Sequence, residues 1–211
     1  MFVLQHPDEA AILIGFFLLV AFPVHEFCHG FAAWRLGDDT ARRAGFLTLN
    51  PVRHFNPVGG TFLVLSVLLT GVPLGFAATP VNRANLRGRH GEAIVAAAGP
   101  LSNVVLAVVF GLVTRYLAGD VAFAISAPDR LWVLLGLIVY GNIALGIFNL
   151  LPVPPLDGSA ILLSLLPLRT RWRIEPAFAQ YGMLLLLAVF VLGGYVISPV
   201  ADAAFHALVG Y

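Results

Sequence analysis

Long apolar runs separated by short polar connections set out the organisation of this chain. Four runs reach the roughly 20 mostly apolar residues that a bilayer-crossing helix needs: residues 9 to 34, 91 to 118, 131 to 151 and 176 to 206. A fifth, 57 to 78, contains Gly59, Gly60, Gly71, Pro73 and Gly75, which weaken it as a straight helix. A sixth, 156 to 167, is too short to span and reads as a re-entrant or interfacial helix. The longest polar connections, 35 to 56, 79 to 90 and 168 to 175, leave too little sequence for a soluble domain beside the membrane part. The fold expected is an all-α polytopic membrane protein. It has about four full transmembrane helices, a re-entrant or hairpin segment over 57–78 and a short helix after Asp157, in one membrane-embedded domain covering residues 1–211.

Composition agrees, with 59% hydrophobic and 11% charged residues, against roughly 25% charged in soluble domains. A net charge of +1 argues against a nucleic-acid partner, which would require a clustered basic face. The first run lacks the basic start of a secretory signal and reads as a retained span. Charge placement decides the topology. All twelve basic residues are arginines, and positive charge in short loops collects on the cytoplasmic side. Arg35, Arg42, Arg43 and Arg53 precede the fifth run, while Arg83, Arg87 and Arg89 follow it, so both its ends are cytoplasmic and the run dips into the membrane and returns. With Arg169, Arg171 and Arg173 inside as well, ten arginines face the cytoplasm and only Arg115 and Arg130 lie outside. The expected location is the inner, cytoplasmic membrane.

The first span carries H-E-F-C-H at residues 25 to 29. His25 and His29, four apart, project from one face of a helix one turn from each other, which suits two imidazoles on one metal. Glu26 beside them can reach a metal-activated water as a general base. An acid at the bilayer centre costs about 2.5 to 3.5 kcal/mol on insertion scales, whereas a structural zinc contributes on the order of 10 to 16 kcal/mol in peptides. A catalytic zinc usually takes a third protein ligand. Asp157, His54, Glu92, His90, Asp202 and His206 are the candidates within or bordering apolar sequence. Asp157 stands out, because Pro152, Pro154 and Pro155 must end or unwind the third span just before it, and the dip topology brings it to the same side as the histidines. His54, among arginines, reads as a solvated or substrate-contacting loop residue, and Cys28 as a small packing thiol.

H-E-F-C-H together with the downstream F-N-L-L-P-V-P-P-L-D-G resembles the site-2 protease family of intramembrane zinc metalloproteases. The phrases L-T-L-N-P-V-R-H-F-N-P-V-G-G, T-P-V-N-R-A-N-L-R and A-A-A-G-P-L-S-N resemble its small bacterial branch, which is little more than the membrane core. Asn56 departs from the aspartate that related sequences often carry in this loop. The resemblance implies one Zn2+ per chain held by His25, His29 and Asp157, with Glu26 as the catalytic glutamate. It assigns Asn149 to the substrate backbone or the developing oxyanion, and Asn103 more weakly to the same work. It implies hydrolysis of peptide bonds within or near transmembrane segments of membrane-protein substrates, with those proteins and the lipid bilayer as partners. A buried helix must unwind to be cut, and residues 46 to 76 are the expected edge that receives the extended substrate. The competing classes are a catalytically silent membrane-protein binder and a proton or metal transporter using the same ionisable cluster.

Overall fold

The computed structural model describes residues 7–70, 72–75, 78–119, 129–192 and 194–210. Four helices are long and apolar enough to cross a membrane. They are α1 (Pro7–Arg35), α3 (Gly91–Gly119), α4 (Asp129–Leu150) and the Leu168–Phe190 part of α6 (Leu168–Leu192). Shorter helices complete the set: α2 (Pro57–Thr70), α5 (Asp157–Leu165) and α7 (Gly194–Val209). No strand occurs among the described residues. The protein is an all-α, multi-pass membrane protein.

The core gathers where α1, α2, α3, α4 and α7 meet, around Leu13, Phe17, Leu63, Val67, Ala107, Val139, Leu145, Phe148 and Ala201. Helix α3 is the hub. It packs along α4 and against the second half of α1, α5 and α7. Small residues permit the close approaches. A methyl group on Gly141 would stand 2.7 Å from Pro73 and 2.8 Å from Phe17.

Helix α1 is not uniform. Residues Phe17–Ala21 form a π turn, closed by the Phe22 amide on the Phe17 carbonyl. Pro23 follows at once. A proline inside a helix has no amide proton for the carbonyl four residues back and its ring crowds that carbonyl, and the chain meets this with a wider turn.

The fifth apolar run is a dip, as expected. Helix α2 has 14 residues, about 21 Å at 1.5 Å per residue, against a hydrocarbon core of about 30 Å. Asn56 caps it by accepting from the amides of Val58 and Gly59 at 2.9 and 3.1 Å, a task that needs only a side-chain oxygen. The chain then turns back along α2. The Ser66 hydroxyl bridges the Leu74 amide and carbonyl, and Gly75 lies against Phe22, Gly59 and Leu63. Residues 78 to 82 continue without regular secondary structure beside α1, where Thr79 reaches Glu26, and the Arg87 amide donates to the Leu36 carbonyl at 2.8 Å.

Two expectations are corrected. The last apolar run begins earlier than residue 176: α6 starts at Leu168, ahead of Pro176, and extends to Leu192, with helix described again from Gly194. Of the arginines taken for a loop and found in α6, Arg171 meets Glu92 of α3 at 2.8 Å and Glu175 one turn on at 3.6 Å, which anchors the first turns of the helix. Residues 46 to 76, expected to offer an extended edge, are largely helical over Pro51–His54 and Pro57–Thr70.

Candidate metal centre

His25 and His29 lie ten and six residues before the end of α1 at Arg35, and both are buried. Their Nε2 atoms are 3.0 Å apart. Asp157 opens α5 after the proline-broken segment 151–156, where the Pro154–Pro155 bond is cis. Its Oδ2 lies 3.1 Å from His25 Nε2 and its Oδ1 3.3 Å from His29 Nε2, across 132 positions of sequence in the first pair. Gly158 makes this possible, since a methyl there would stand 2.2 Å from the Leu150 carbonyl oxygen. Without a side chain, α5 can start flush against the end of α4.

The second nitrogen of each ring is spoken for. His25 Nδ1 donates to Asn103 Oδ1 at 2.6 Å and His29 Nδ1 donates to the Val95 carbonyl at 2.7 Å. The Asn103 amide in turn donates to Asn142 Oδ1 at 3.2 Å, and the Asn142 amide to the Ile138 carbonyl at 2.8 Å. With both Nδ1 protons so placed, both Nε2 atoms present lone pairs, and they converge on a carboxylate. Three acceptors drawn together in a buried place suit a cation, and two imidazoles with one carboxylate are a donor set that zinc takes. The ligand atoms all lie within 4.8 Å of one another. Gly99 on α3 completes the cradle, because a methyl there would stand 2.2 Å from His29 Nε2 and 2.5 Å from His25 Nε2. The residues fit the metal.

Glu26, 2% exposed, is held by the segment that returns from the dip. The Thr79 hydroxyl donates to Glu26 Oε2 at 2.7 Å and lies 3.1 Å from the Glu26 carbonyl. Glu26, His29 and Asp157 open into a cavity of about 260 Å3, walled by Ala78, Val81 and Ala96 among others. A second cavity of about 310 Å3 also borders Asp157, lined by Pro155, Ala160 and the α6 residues Phe178 and Ala179. Arg83 borders both. Its guanidinium reaches Glu92 at 2.8 Å and Glu175 at 3.0 Å, which ties the returning chain to the starts of α3 and α6.

At the edge of the site Asp38, fully buried, accepts from Thr40 N, Thr40 Oγ1, Asn82 N and Asn85 Nδ2. Burial works to raise its pKa, but the hydrogen bonds win and hold the carboxyl below its ordinary value of 3.8.

His25, Glu26, His29 and Asp157 are thus brought together, while neither asparagine lines either cavity. Asn103 serves His25, and Asn149, 3% exposed, donates to the Leu145 carbonyl of its own helix at 3.1 Å. His54 is buried, not solvated, and its Nε2 donates to the Thr48 carbonyl at 2.7 Å. Sequence reasoning missed Gly99, Thr79 and Asn142. Asn142 did leave a signal, as a lone amide in an apolar run, which must find a partner in lipid.

The family model described as Peptidase family M50 matches residues 120–193. The chain is 36% identical over 196 residues to YwhC of Bacillus subtilis, named as a candidate zinc metalloprotease, covering 88% of this chain and 84% of that protein. It is 32% identical over 185 residues to Rip2 of Mycolicibacterium smegmatis, named in the same way, covering 84% of this chain and 68% of that protein. No solved structure matches the chain.

Proposed function

The chain belongs to peptidase family M50, the site-2 protease family whose members use zinc, and from that premise we propose that it is an intramembrane endopeptidase. Its substrates on this reading are membrane proteins, cut within or near a transmembrane segment. The observation that carries it is the convergence of His25, His29 and Asp157 beside Glu26 at the wall of a cavity between helices long enough to span.

His25, His29 and Asp157 hold the zinc, which when bound supplies the Lewis acidity that polarises a peptide carbonyl and makes a water nucleophilic near neutral pH. Glu26 takes that water's proton and hands it to the leaving amine. Asn103 is a positioning residue, fixing the His25 tautomer so that Nε2 faces the metal. Asn149, assigned by the family resemblance to the substrate carbonyl or the developing oxyanion, bonds the Leu145 carbonyl of its own helix in this structure and lines neither cavity. The receiving edge is assigned to residues 78 to 82, whose Ala78, Thr79 and Val81 line the cavity and make no main-chain hydrogen bond among the described residues.

The protein is assigned to the inner, cytoplasmic membrane with the site toward the cytoplasm. The support is charge: Arg83 and Arg171 join the site's rim, and ten of twelve arginines belong to the same connections.

The test is cleavage of single-span peptides by purified protein in detergent or nanodiscs. Wild type should cut, a zinc chelator should stop it, and Glu26→Gln should bind the peptide uncut. Chelator-resistant cleavage, or cleavage by Glu26→Gln at the wild-type rate, would refute the proposal.

A further inference from the structure

The segment that returns from the dip does more than wall the cavity. Thr79 places its hydroxyl on the Glu26 carboxylate, 53 positions away in sequence, at 2.7 Å. Its methyl group rests against α1 at Gly30, where an added Cβ would stand 3.5 Å from Thr79 Cγ2. The segment itself is pinned further along by the Asn82 amide on the buried Asp38 carboxylate at 2.6 Å. Among the described residues, the main-chain groups of Ala78, Thr79 and Val81 make no hydrogen bond. Thr79 therefore joins two things: a segment with unpaired main-chain groups along the cavity, and the carboxylate that opens into it.

From this we infer that Thr79 is the positioning residue of Glu26. Its hydroxyl bonds Oε2 and thereby fixes the plane of the carboxylate, which orients Oε1 to receive a proton from a water in the cavity. The inference rests on the proposed hydrolytic reading. A carboxylate on two free torsions near its backbone samples several orientations, and one charge-assisted hydrogen bond from a fixed donor selects among them. Because the donor sits on a segment whose main-chain groups at Ala78, Thr79 and Val81 are unpaired, substrate backbone pairing with them would also fix the donor, coupling substrate docking to alignment of the base. Thr79 touches neither metal ligand nor scissile bond in this arrangement, so its loss should appear in turnover and not in metal content.

Thr79→Val keeps the shape and removes the hydroxyl, whereas Thr79→Ser keeps the hydroxyl. With zinc-loaded protein and a quenched-fluorescence single-span peptide, Thr79→Val should lower kcat on the order of 10- to 100-fold, the usual cost of losing a residue that orients a functional group. KM should stay within about twofold, since substrate binding does not use the hydroxyl. Zinc stoichiometry should match wild type, and Thr79→Ser should restore most of kcat. A second measurement needs no substrate. The infrared difference between wild type and Glu26→Gln isolates the Glu26 carboxylate band, and Thr79→Val should shift that band while Thr79→Ser leaves it. If wild type cuts no peptide, the proposed function fails, and the infrared comparison still decides the role of Thr79. A kcat unchanged in Thr79→Val, a loss carried wholly by zinc content, an unmoved carboxylate band, or Thr79→Ser as impaired as Thr79→Val would each overturn the inference.

Discussion

Glu26 and the residues around it differ in what they lose on substitution. Glu26→Gln preserves size and leaves all three ligands in place, so zinc content should be unchanged while turnover drops by roughly 10²- to 10⁴-fold, the range for a general base; metal analysis beside the peptide assay checks both. Gly99→Ala should do the reverse. Its added methyl would meet both Nε2 atoms at 2.2 and 2.5 Å, so bound zinc should fall well below one per chain, with activity falling in step. The four principal residues were legible in the sequence because their chemistry is local in character: two imidazoles one turn apart, an acid beside them, and a carboxylate behind three prolines. Gly99, Thr79 and Asn142 were not legible in the same way. Their roles are distances to groups 39 to 74 positions away, and a glycine, a threonine or an asparagine does not declare a contact of that kind from its neighbours in sequence.

Among elements, the connection after α1 is fixed by one carboxylate. Asp38 gathers Thr40, Asn82 and Asn85, and Asp38→Ala should destabilise the protein by about 2 kcal/mol or more, as for loss of a buried, charged acceptor. Its folded pKa is depressed, so its contribution is fully present above the unfolded value near 3.8. That contribution is lost as pH falls through the lower, folded value. Thermal melts of wild type and Asp38→Ala should therefore converge below about pH 4. Helix α6 presents a different case. Its span is the least buried of the four, at 11%, and Glu92 clasps its first turns by accepting from both Arg171 and Arg83. Glu92→Gln should leave the core intact and raise hydrogen exchange over residues 168–175. The stability cost should be modest, about 1 kcal/mol, because such pairs are partly solvated. The dip and the short α5 were readable from glycines, prolines and arginine bias. The true start of α6 was not, because winding those arginines into a helix depends on acids supplied by other segments.

At the scale of the whole molecule, a zinc held as proposed by His25, His29 and Asp157 would join α1 to α5, and α3 packs against both. Removing it should lower the melting temperature, with recovery on re-addition, since a ligand bound by the folded state alone stabilises it by mass action; a melt unaffected by chelator would contradict a bridging metal. The π turn at Phe17–Ala21 has its own global consequence. In an ordinary helix, deleting one residue swings everything beyond it by about 100°. Here the wide turn already stores one residue more than an α-helix needs between Phe17 and His25. Excising Leu19, which faces outward, together with Pro23→Ala, should let the two halves merge into a regular helix in unchanged phase. His25 and His29 would still point at Asp157, whereas the same excision at Phe31 or Ala32 would rotate Trp34 and Arg35 away from their present faces. A length change of one amino acid is thus tolerable at a single place in this helix, and that place is the one an alignment would mark as irregular.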